Sequence, residues 1–347
     1  MSEEDKPVRR KRSKGNSLTL RDVARMAGVA PITASRALNT PEAVSDKILE
    51  RVREAVERTG YVPNLLAGGL ASRKSRLVAA LVPTITGSVF LETVQALTST
   101  LAASGYQMML GQAGYAESRE DALLEAIIGR RPDGVVLTGI MRSPLARRRL
   151  IASGIPVVET WDLTPTPVDM LVGFSHEKLG AAVAEYLHRR GRRHLAAISA
   201  DDERAARRNK AYSERALQLG IGGSGGEVPA HVVPAPSAVV SGREGLRALL
   251  KRHPGVDAIF CSSDMVALGV LIEAQAQGIE VPRQLAVVGL GDLALSRDLH
   301  PALTTVRVDG TLIGQTAARY IIQRTEGKPV VDPVCDVGFT IVERHSS

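Results

Sequence analysis

The stretch LTLRDVARMAGVAPITASRALN, residues 18–39, has the pattern of two short helices joined by a tight turn. Val23 and Ala27 lie four positions apart, which predicts an apolar stripe along the first helix. Gly28 stands where a left-handed backbone angle would turn the chain, and Pro31 suits the first position of the second helix. The pattern predicts a helix-turn-helix whose second helix is sized for a DNA major groove. A helical hairpin that caps a larger domain is the alternative.

The positive charge of the chain is concentrated near its N-terminus. Of 347 residues, 44 are Lys or Arg and 37 are Asp or Glu, which gives a formal net charge of +7. Residues 1–76 hold 16 of the basic and 9 of the acidic residues, so the remainder carries 28 of each and is neutral. Such a cationic segment is the electrostatic footprint of phosphate contact. Residues 1–17 are predicted to form a disordered basic arm, which either adds non-specific DNA affinity or is simply solvated.

Several protein classes fit the sequence poorly. The N-terminus is charged and lacks the apolar region of a signal peptide, and no apolar run is long enough to cross a bilayer. The cysteines Cys261 and Cys335 provide neither a disulfide framework nor metal-ligand spacing. We therefore expect a cytoplasmic protein with reduced thiols and no metal site.

A third helix and a linking segment follow the helix-turn-helix. Ser45 is a candidate N-cap for the helical sequence DKILERVREAVERT, and Gly60 should end that helix. We expect a DNA-binding head over residues 18–63 and a hinge segment over 64–76. Glycines weaken the helical tendency of this segment, which is too short to be a stable helix by itself. It is predicted to fold only when something braces it.

From Leu77 onward, short apolar runs alternate with amphipathic helical stretches. The predicted strands are 77–83, 106–111, 134–139, 155–160, 194–199, 257–263 and 285–291. Two successive series of this kind predict two doubly wound lobes, each with a parallel sheet buried on both faces. Ligands on such sheets bind beyond the carboxyl ends of the strands, so those ends should face a shared cleft.

Several stretches, in the same order along the chain, resemble regulators of the lactose-repressor (LacI/GalR) family. They are TLRDVARMAGVAPITASRALN, GYVPN, FSHEKLGAAVAEYL, SSDMVALGVL, GIEVPRQLAVVGLGD and PALTTVRVDGTLIGQTA. The resemblance covers about residues 18–345. It implies an all-α helix-turn-helix head and an α/β two-lobed core like that of periplasmic binding proteins. The core is expected over 77–345, with one lobe of about 77–173 plus 292–309 and the other of 174–291 plus 310–345.

The resemblance also implies a function: a dimeric transcription factor that binds a palindromic operator in double-stranded DNA. A small metabolite in the cleft would close it, separate the paired hinges and release the operator; a co-repressor would use the same parts with the opposite sign. Tetrameric members carry a C-terminal leucine heptad tail, which is not seen after IVERHSS, so a homodimer is expected.

The positions that match the DNA-reading residues of the family are Pro31, Ile32, Ser35 and Arg36. Arg36 is suited to bidentate contact with guanine, whereas Ile32 offers only apolar contact, for example with a thymine methyl. The resemblance assigns phosphate-positioning roles to Thr19, Leu20, Thr33, Asn39 and Ser45. Within the hinge it assigns DNA contact to Asn64 and minor-groove insertion to Leu70. Gly68 and Gly69 replace the usual Ala-Arg there, which leaves the helicity of the hinge open.

The segment ERAARRNKAY, residues 203–212, is expected to begin a helix just after a strand. Arg204 and Arg208 stand one helical turn apart on one face, and Arg208 matches an effector-binding arginine of the family. Two guanidinium groups converging on a cleft suit a carboxylate or phosphate. The alternative is that they form solvated or structural ion pairs with Asp201, Asp202 and Glu203.

Within the family, four stretches most resemble gluconate-utilisation repressors: VPTITGSVF, GYQMMLGQAGY, VVETWD and VGFSHEKLGAA. This resemblance implies that the effector is gluconate, a keto-gluconate or a phosphorylated gluconate, and a neutral sugar is the alternative. The predicted effector-binding residues are Trp161, Phe174, Arg204, Arg208, Ser263, Asp264, Asp292 and Gln315, with Ser88 and Thr138 as further candidates. Phe90 and Tyr115 fit core and cleft equally well, and Asp264 also fits an N-cap of helix 265–277.

Two other classes of protein, secreted solute-binding proteins and enzymes, fit the sequence less well. A secreted solute-binding protein would share the core architecture, but it would need a signal sequence and no DNA-binding head. An enzyme would need a nucleophile, a metal set or a phosphate loop. The stretch GIGGSGG (220–226) has neither the spacing of a dinucleotide-binding loop nor a following Lys-Ser pair, and it is interpreted as a flexible connection. His176 is expected at a helix N-terminus rather than in catalysis. We therefore expect no enzyme activity, no catalytic residues and no cofactor.

Overall fold

A computed structural model of the chain describes residues 18–62, 74–86, 89–115, 117–222 and 227–347. The chain separates into two units, Met1–Arg73 and Lys74–Ser347. The predicted basic arm, the hinge residues Asn64, Gly68, Gly69 and Leu70, and Ser88 lie outside the described residues.

Within residues 18–62, the described part of the first unit, there are three helices: α1 Leu20–Ala27, α2 Pro31–Asn39 and α3 Asp46–Thr59, with a short 3-10 turn at Pro41–Ala43. Their shared core is built from small residues, which lets the short helices approach closely. The buried members are Val23, Ala24, Ala27, Ala34, Ala37, Val52 and Ala55. The helix-turn-helix prediction is confirmed.

The turn between α1 and α2 depends on Gly28, which has φ +62° as predicted. The Val29 N–H donates to the Ala24 carbonyl oxygen at 3.0 Å, which closes the end of α1. Arg51 of α3 donates from Nη2 to the Gly28 carbonyl oxygen at 3.2 Å and so ties the turn to the third helix.

The first lobe of the core, lobe 1, has a parallel six-stranded sheet of order β11-β5-β4-β3-β1-β2. Its strands are β1 Leu77–Val82, β2 Gln107–Gln112, β3 Gly134–Thr138, β4 Val157–Thr160, β5 Met170–Gly173 and β11 Val334–Asp336. Its helices are α4 Leu91–Ala103, α5 Glu117–Ile128, α6 Pro144–Ser153 and α11 Gly310–Thr325. The central strands are buried on both faces, as their unbroken apolar sequences predict.

The second lobe, lobe 2, has a sheet of order β12-β10-β9-β8-β6-β7, parallel except for the antiparallel pair β10–β12. Its strands are β6 Leu195–Ala200, β7 Ala230–Val233, β8 Ala258–Cys261, β9 Ala286–Leu290, β10 Thr304–Arg307 and β12 Thr340–Val342. Its helices are α7 His176–Arg189, α8 Glu203–Gln218, α9 Val239–Arg252 and α10 Asp264–Ala276, and a 3-10 turn spans Ala294–Arg297. The seven predicted strands are all present, and the two-lobed fold is confirmed.

The structure corrects how the last part of the chain is shared between the lobes. β10 pairs with β9, so residues 304–307 belong to lobe 2 rather than to lobe 1. α11 packs on α4, and β11 pairs with β5, so both belong to lobe 1 rather than to lobe 2. The reason is packing: a Cβ at Gly314 of α11 would lie 2.4 Å from the Thr93 carbonyl oxygen of α4, so the two helices are in backbone contact.

The predicted borders of the core also need correction. The backbone N–H groups of Ser75 and Arg76 donate to the Asp133 carboxylate at 2.8 and 2.9 Å, so the end of the predicted hinge is attached to lobe 1. Ser346 and Ser347 are buried in lobe 2, beyond the predicted end at 345. No helix in the described ranges combines the length and apolar character needed to span a bilayer.

Candidate functional site

The outer face of α2 carries the side chains that sequence analysis predicted to read bases. Pro31, Ile32 and Arg36 are exposed, and 64% of Ile32 is accessible to solvent. Ala34 and Ala37 point the opposite way, into the core of the head. The buried alanines set the orientation of α2, so Pro31, Ile32 and Arg36 face away from the core of the head.

The predicted phosphate-positioning residues have different environments. The Thr19 N–H and hydroxyl both donate to Asp22, at 3.0 and 2.6 Å, and these bonds hold the pKa of Asp22 below its ordinary value. Leu20, the first residue of α1, is half-buried and can offer a phosphate only its backbone. The Asn39 amide donates back along α2 to the Ser35 carbonyl oxygen at 2.9 Å. Ser45 immediately precedes α3, as predicted.

Two adjoining cavities lie among the strand ends and helix starts of the core. The Arg208 cavity, of about 100 Å³, is lined by Thr84, Thr86, Val89, Phe90, Tyr115, Trp161, His176, Ala200, Asp202, Arg204, Arg208, Pro236, Ser237, Ser262, Ser263 and Leu290. The Arg142 cavity, of about 270 Å³, shares Tyr115, Asp202 and Arg204 with it and adds Thr138, Arg142 and Asp162 among others. Residues of both lobes line each cavity, as expected for a cleft between parallel sheets.

Arg208 is a charged group of this site that is almost completely buried. Only 6% of it is exposed, and its Nη1 lies 3.0 Å from Nδ1 of His176. Burial lowers the pKa of Arg208 to about 10, because the charged form is poorly solvated there. Among the ion pairs formed within the described ranges, none involves Arg208, so its charge lacks a direct carboxylate partner.

Arg204 lies on the same face of α8, as predicted. Its Nη1 is 3.5 Å from the Thr138 carbonyl oxygen, and its guanidinium lies 5.4 Å from the centre of the Phe90 ring. The nearest carboxylate contact, from Nε to Asp202, is long at 3.9 Å. The alternative of an ion pair with Asp202 therefore holds for Arg204 at this long distance, and it does not hold for Arg208. The neighbouring Arg207 pairs with Asp162 and Glu177.

His176 begins α7, as predicted, and it also forms part of the Arg208 cavity. Its Nε2 lies 3.0 Å from the Trp161 carbonyl oxygen, which can only accept, so Nε2 carries the hydrogen. Burial, together with the charge of Arg208, holds the pKa of His176 well below its ordinary value. The imidazole is therefore neutral, and its Nδ1 accepts the hydrogen bond from Arg208.

Aromatic side chains form one wall of the Arg208 cavity. Trp161 donates from Nε1 to the Thr93 hydroxyl at 3.0 Å, and its ring meets Phe90 edge-on at 5.0 Å. Phe90 therefore lines the cavity, as does Tyr115. Phe174 is fully buried behind this wall, with its ring 4.6 Å from that of His176. This corrects the prediction that Phe174 is an effector-binding residue.

The structure also corrects the role of Asp264. Its carboxylate is fully buried and accepts hydrogen bonds from Leu293 N at 2.8 Å, the Ser296 hydroxyl at 2.6 Å and the Thr305 hydroxyl at 2.5 Å. Burial raises its pKa above the ordinary value. Ser263 rather than Asp264 is the N-cap of α10, and it accepts from Val266 N at 3.3 Å. Asp264 therefore holds lobe 2 together and does not line either cavity.

Two further predicted effector contacts are displaced from the cavities. Asp292 accepts a hydrogen bond from Arg344 Nη2 at 2.6 Å, and it is absent from the lining of both cavities. Gln315 is exposed on α11, whose opposite face packs against the rest of lobe 1. Neither side chain is placed to contact a ligand beside Arg208.

Several lining residues are not among the predicted effector contacts, although the rule that ligands bind beyond strand ends points to some of them. Thr84 follows β1, Asp162 follows β4 and Ser262 follows β8, so each stands at the carboxyl end of a strand. That position was the available signal. Arg142 and Ser237 lie in longer connections, and no local pattern marks them.

Comparisons with known proteins agree with this arrangement. Residues 19–64 match the family described as "Bacterial regulatory proteins, lacI family", and residues 184–347 match "Periplasmic binding protein-like domain". The chain is 39% identical over 330 residues to the HTH-type transcriptional regulator GntR of Pseudomonas aeruginosa, covering 95% of each protein. It is 32% identical over 324 residues to GntR of Escherichia coli K12, covering 93% of this chain and 96% of that protein.

A solved structure is similar over almost the same length. The crystal structure of a LacI-family transcriptional regulator from Silicibacter pomeroyi matches with a TM-score of 0.88 and 33% sequence identity. The match covers 95% of this chain and 99% of that one, so it includes the helix-turn-helix unit as well as the two-lobed unit.

Proposed function

This chain belongs to the LacI family of DNA-binding transcriptional regulators, and we propose that it represses sugar-acid catabolic genes until a gluconate-type acid binds beside Arg208. The relatives named GntR support this assignment. So does the resemblance of residues around the cleft to gluconate-utilisation repressors. In this proposal a homodimer places two copies of α2 on the two halves of a palindromic operator.

The observation that carries the proposal is the buried guanidinium of Arg208. A buried charge without a charged partner is unfavourable, because water no longer solvates it. Here the direct hydrogen-bond partner is a neutral imidazole. A ligand carboxylate would supply the missing negative charge through short, charge-assisted hydrogen bonds. A neutral sugar would supply no such charge and would leave Arg208 with only the more distant carboxylates of Asp202 and Asp162, whose charges raise its pKa.

The remaining surface of the cavity fits the rest of a sugar acid. Hydroxyl groups of Thr84, Ser237 and Ser262 and the carboxylate of Asp202 are available for hydrogen bonds with a chain of hydroxyls. Trp161 contributes apolar surface that suits the carbon chain. The ligand would thus be oriented by its charged end and recognised along its length by hydroxyl contacts.

Release of the operator follows if the acid binds more tightly to the state with low DNA affinity. A coupling free energy of about 1–3 kcal/mol changes operator affinity roughly 5- to 150-fold. The same coupling acts in reverse, so operator DNA should weaken binding of the acid by the same factor.

Intrinsic fluorescence offers a direct test of ligand class, because Trp161 is the one tryptophan in the sequence and lines the cavity. Purified protein is titrated with gluconate, keto-gluconate and phosphogluconate, and with sorbitol as a neutral polyol of equal carbon number. We expect a saturable change in emission with at least one acid and none with sorbitol. Binding of neutral polyols or sugars alone would overturn the proposed ligand class.

The second experiment tests whether the protein binds DNA sequence-specifically and whether the acid weakens or strengthens that binding. The protein is used to select a preferred duplex from a random DNA pool. Its affinities for the selected duplex and for a scrambled duplex are then measured by fluorescence anisotropy and compared. We expect preference for the selected duplex and weaker binding when the acid is added. Equal affinity for both duplexes would contradict sequence-specific binding, and tighter binding with acid would show a co-repressor.

A further inference from the structure

An unbroken series of hydrogen bonds leads from the Arg208 cavity into lobe 1. Arg208 donates to His176 at 3.0 Å, and His176 donates to the Trp161 carbonyl oxygen at 3.0 Å. The indole of Trp161 donates to the Thr93 hydroxyl at 3.0 Å, which in turn donates to the Gly310 carbonyl oxygen at 2.9 Å. The series begins on α7 and α8 of lobe 2 and ends at α4 and α11 of lobe 1.

The direction of every bond in this series is determined by chemistry. Guanidinium and indole N–H groups can only donate, and the two carbonyl oxygens can only accept. His176 must therefore donate from Nε2 and accept at Nδ1, and Thr93 must accept from the indole and donate to Gly310. Because each group has one permitted role, a change at one end is not absorbed by reversing a bond in the middle.

The backbone of Trp161, the central residue of the series, is held in an unfavourable conformation. Its φ is +65°, in the left-handed region that is unfavourable for a residue with a bulky side chain. Such strain persists only where neighbouring groups impose it. His176 holds the Trp161 carbonyl, and Arg207 forms an ion pair with the adjacent Asp162. Groups of lobe 2 thus help to hold a strained segment of lobe 1, together with β5, whose Val172 carbonyl oxygen accepts from Trp161 N at 3.1 Å.

The far end of the series has no free space in which to adjust. Thr93 is buried, and a Cβ at Gly310 would lie 3.1 Å from its hydroxyl oxygen. One helical turn further on, a Cβ at Gly314 would lie 2.4 Å from the Thr93 carbonyl oxygen. A shift of Thr93 must therefore be shared by α4 and α11 as packed elements.

We propose that His176 and Thr93 are positioning residues that couple ligand occupancy at Arg208 to lobe 1 through the strained backbone of Trp161. The inference rests on the proposed function for the identity of the ligand. A carboxylate at Arg208 competes with His176 Nδ1 for the guanidinium hydrogens. That competition changes how firmly His176 holds the Trp161 carbonyl, and so shifts the population of the strained conformation.

The main test replaces Thr93, which lines neither cavity. Thr93→Val keeps the side-chain shape and removes both hydrogen bonds, and Thr98→Val is the matched control on an exposed turn of the same helix. Gluconate affinity is measured by Trp161 emission, and operator affinity is measured without and with saturating gluconate. The release ratio is the operator affinity without gluconate divided by the operator affinity with saturating gluconate. We expect Thr93→Val to bind gluconate within about threefold of the natural protein while its release ratio falls towards one. Thr98→Val should keep the full ratio.

Further variants at Thr93 and His176 distinguish the loss of these hydrogen bonds from general damage to the fold. Thr93→Ser retains the hydroxyl and should restore the release ratio. His176→Phe removes both imidazole hydrogen bonds and should lower the ratio, whereas His188→Phe, the same change on α7, should not. If Thr93→Val fails to fold by circular dichroism, the His176→Phe and His188→Phe pair decides the question. A full release ratio in His176→Phe or in folded Thr93→Val would overturn the inference.

A double-mutant cycle tests the same coupling without any ligand. Operator affinity is measured for Arg208→Gln, Thr93→Val and the double variant, using duplex selected from the random pool. Coupled positions give non-additive effects, and additive effects would overturn the inference. The proposed ligand is judged separately: if the natural protein shows no emission response to any sugar acid, the proposed function fails while this cycle still reports on the coupling.

Discussion

Arg36 of α2 and Arg208 of α8 are the two arginines that we propose to bind a ligand, and their surroundings are opposite. Arg36 is exposed on a helix whose inner face packs against a small alanine-rich core. Arg208 is buried and is oriented by His176, which lies 32 positions earlier in the chain. The exposed group bears no desolvation cost before binding, whereas the buried group is held in place at the expense of stability.

This difference predicts different consequences of removing each charge. On the head, removal of the Arg36 charge should reduce DNA affinity without reducing stability, because Arg36 is exposed and lies outside the buried core of the head. In the cavity, the loss should affect ligand affinity strongly and should relieve an unfavourable buried charge.

The largest effect is expected for Arg208→Gln. Truncating one partner of a buried, hydrogen-bonded charge pair costs about 2–5 kcal/mol of binding, so gluconate affinity should fall at least 30-fold. The thermal midpoint without ligand should stay equal or rise, because a buried charge without a direct ion-pair partner is gone. Titration calorimetry and thermal unfolding measure the two quantities. Lys210→Gln, at an exposed site on the same helix, should change neither. Unaltered affinity in Arg208→Gln would remove the basis for an acidic ligand.

The next effect concerns the exposed arginine. Arg36→Ala should weaken binding to the selected duplex by about 1–3 kcal/mol, the usual contribution of a bidentate arginine–guanine contact. It should relax sequence preference at one base pair and leave gluconate affinity unchanged, which a binding assay on a panel of single-base variants would measure. Arg53→Ala, at an exposed position on α3, serves as the control for loss of positive charge alone. Equal losses in both variants would indicate a phosphate contact at Arg36.

The same contrast explains which sites were predictable from sequence. Gly28 and the exposed face of α2 follow from spacing within one segment, as does the shared face of Arg204 and Arg208. Strand ends indicated Thr84 and Asp162 for the same local reason. These features depend on neighbours in the chain, and the structure has them where they were expected.

The predictions that failed depend on groups distant in the chain. Whether Asp264 faces a ligand is decided by Thr305 and Ser296, whose hydroxyls occupy its carboxylate. Asp292 is similarly engaged by Arg344. The assignment of β10 and α11 to the wrong lobes has the same origin, since the pairing of β10 with β9 is a choice among strand edges that no local pattern records.

Asp264→Asn would separate structural from ligand-binding carboxylates in lobe 2. An amide group there presents hydrogens to donors that need an acceptor, so the free energy of unfolding should fall by about 1–3 kcal/mol. Gluconate affinity of the folded variant should remain unchanged. Denaturant unfolding and calorimetry test both points, with the exposed Asp298→Asn as control. Weakened gluconate binding at full stability would return Asp264 to the ligand site.

A smaller effect is expected at the turn of the head. Gly28 and Gly60 have φ of +62° and +63°, so alanine at either position incurs about 1–2 kcal/mol of backbone strain. A Cβ at Gly28 would also lie 2.5 Å from Arg51 Nη2, whereas one at Gly60 would have no atom within 4 Å among the described residues other than its chain neighbours. Gly28→Ala should therefore reduce amide-exchange protection of α1 and α2 more than Gly60→Ala does. Equal loss of protection would show that the Arg51 contact contributes nothing.

The smallest effect is a change in pH dependence within lobe 2. The hydrogen bond from Arg247, aided by Gln277 and Arg243, lowers the pKa of Glu273 to about 2 from an ordinary 4.5. A lowered carboxyl pKa means that the unfolded chain binds protons first, so this stabilisation is complete above pH 4.5 and is lost as the pH falls towards 2. Glu273→Gln should be less stable near neutrality, with a flatter decline below pH 4.5 in denaturant titrations. Glu244→Gln, an exposed change on α9, should keep the steeper natural profile, and the same steep profile in Glu273→Gln would mean that the acid sensitivity of lobe 2 arises elsewhere.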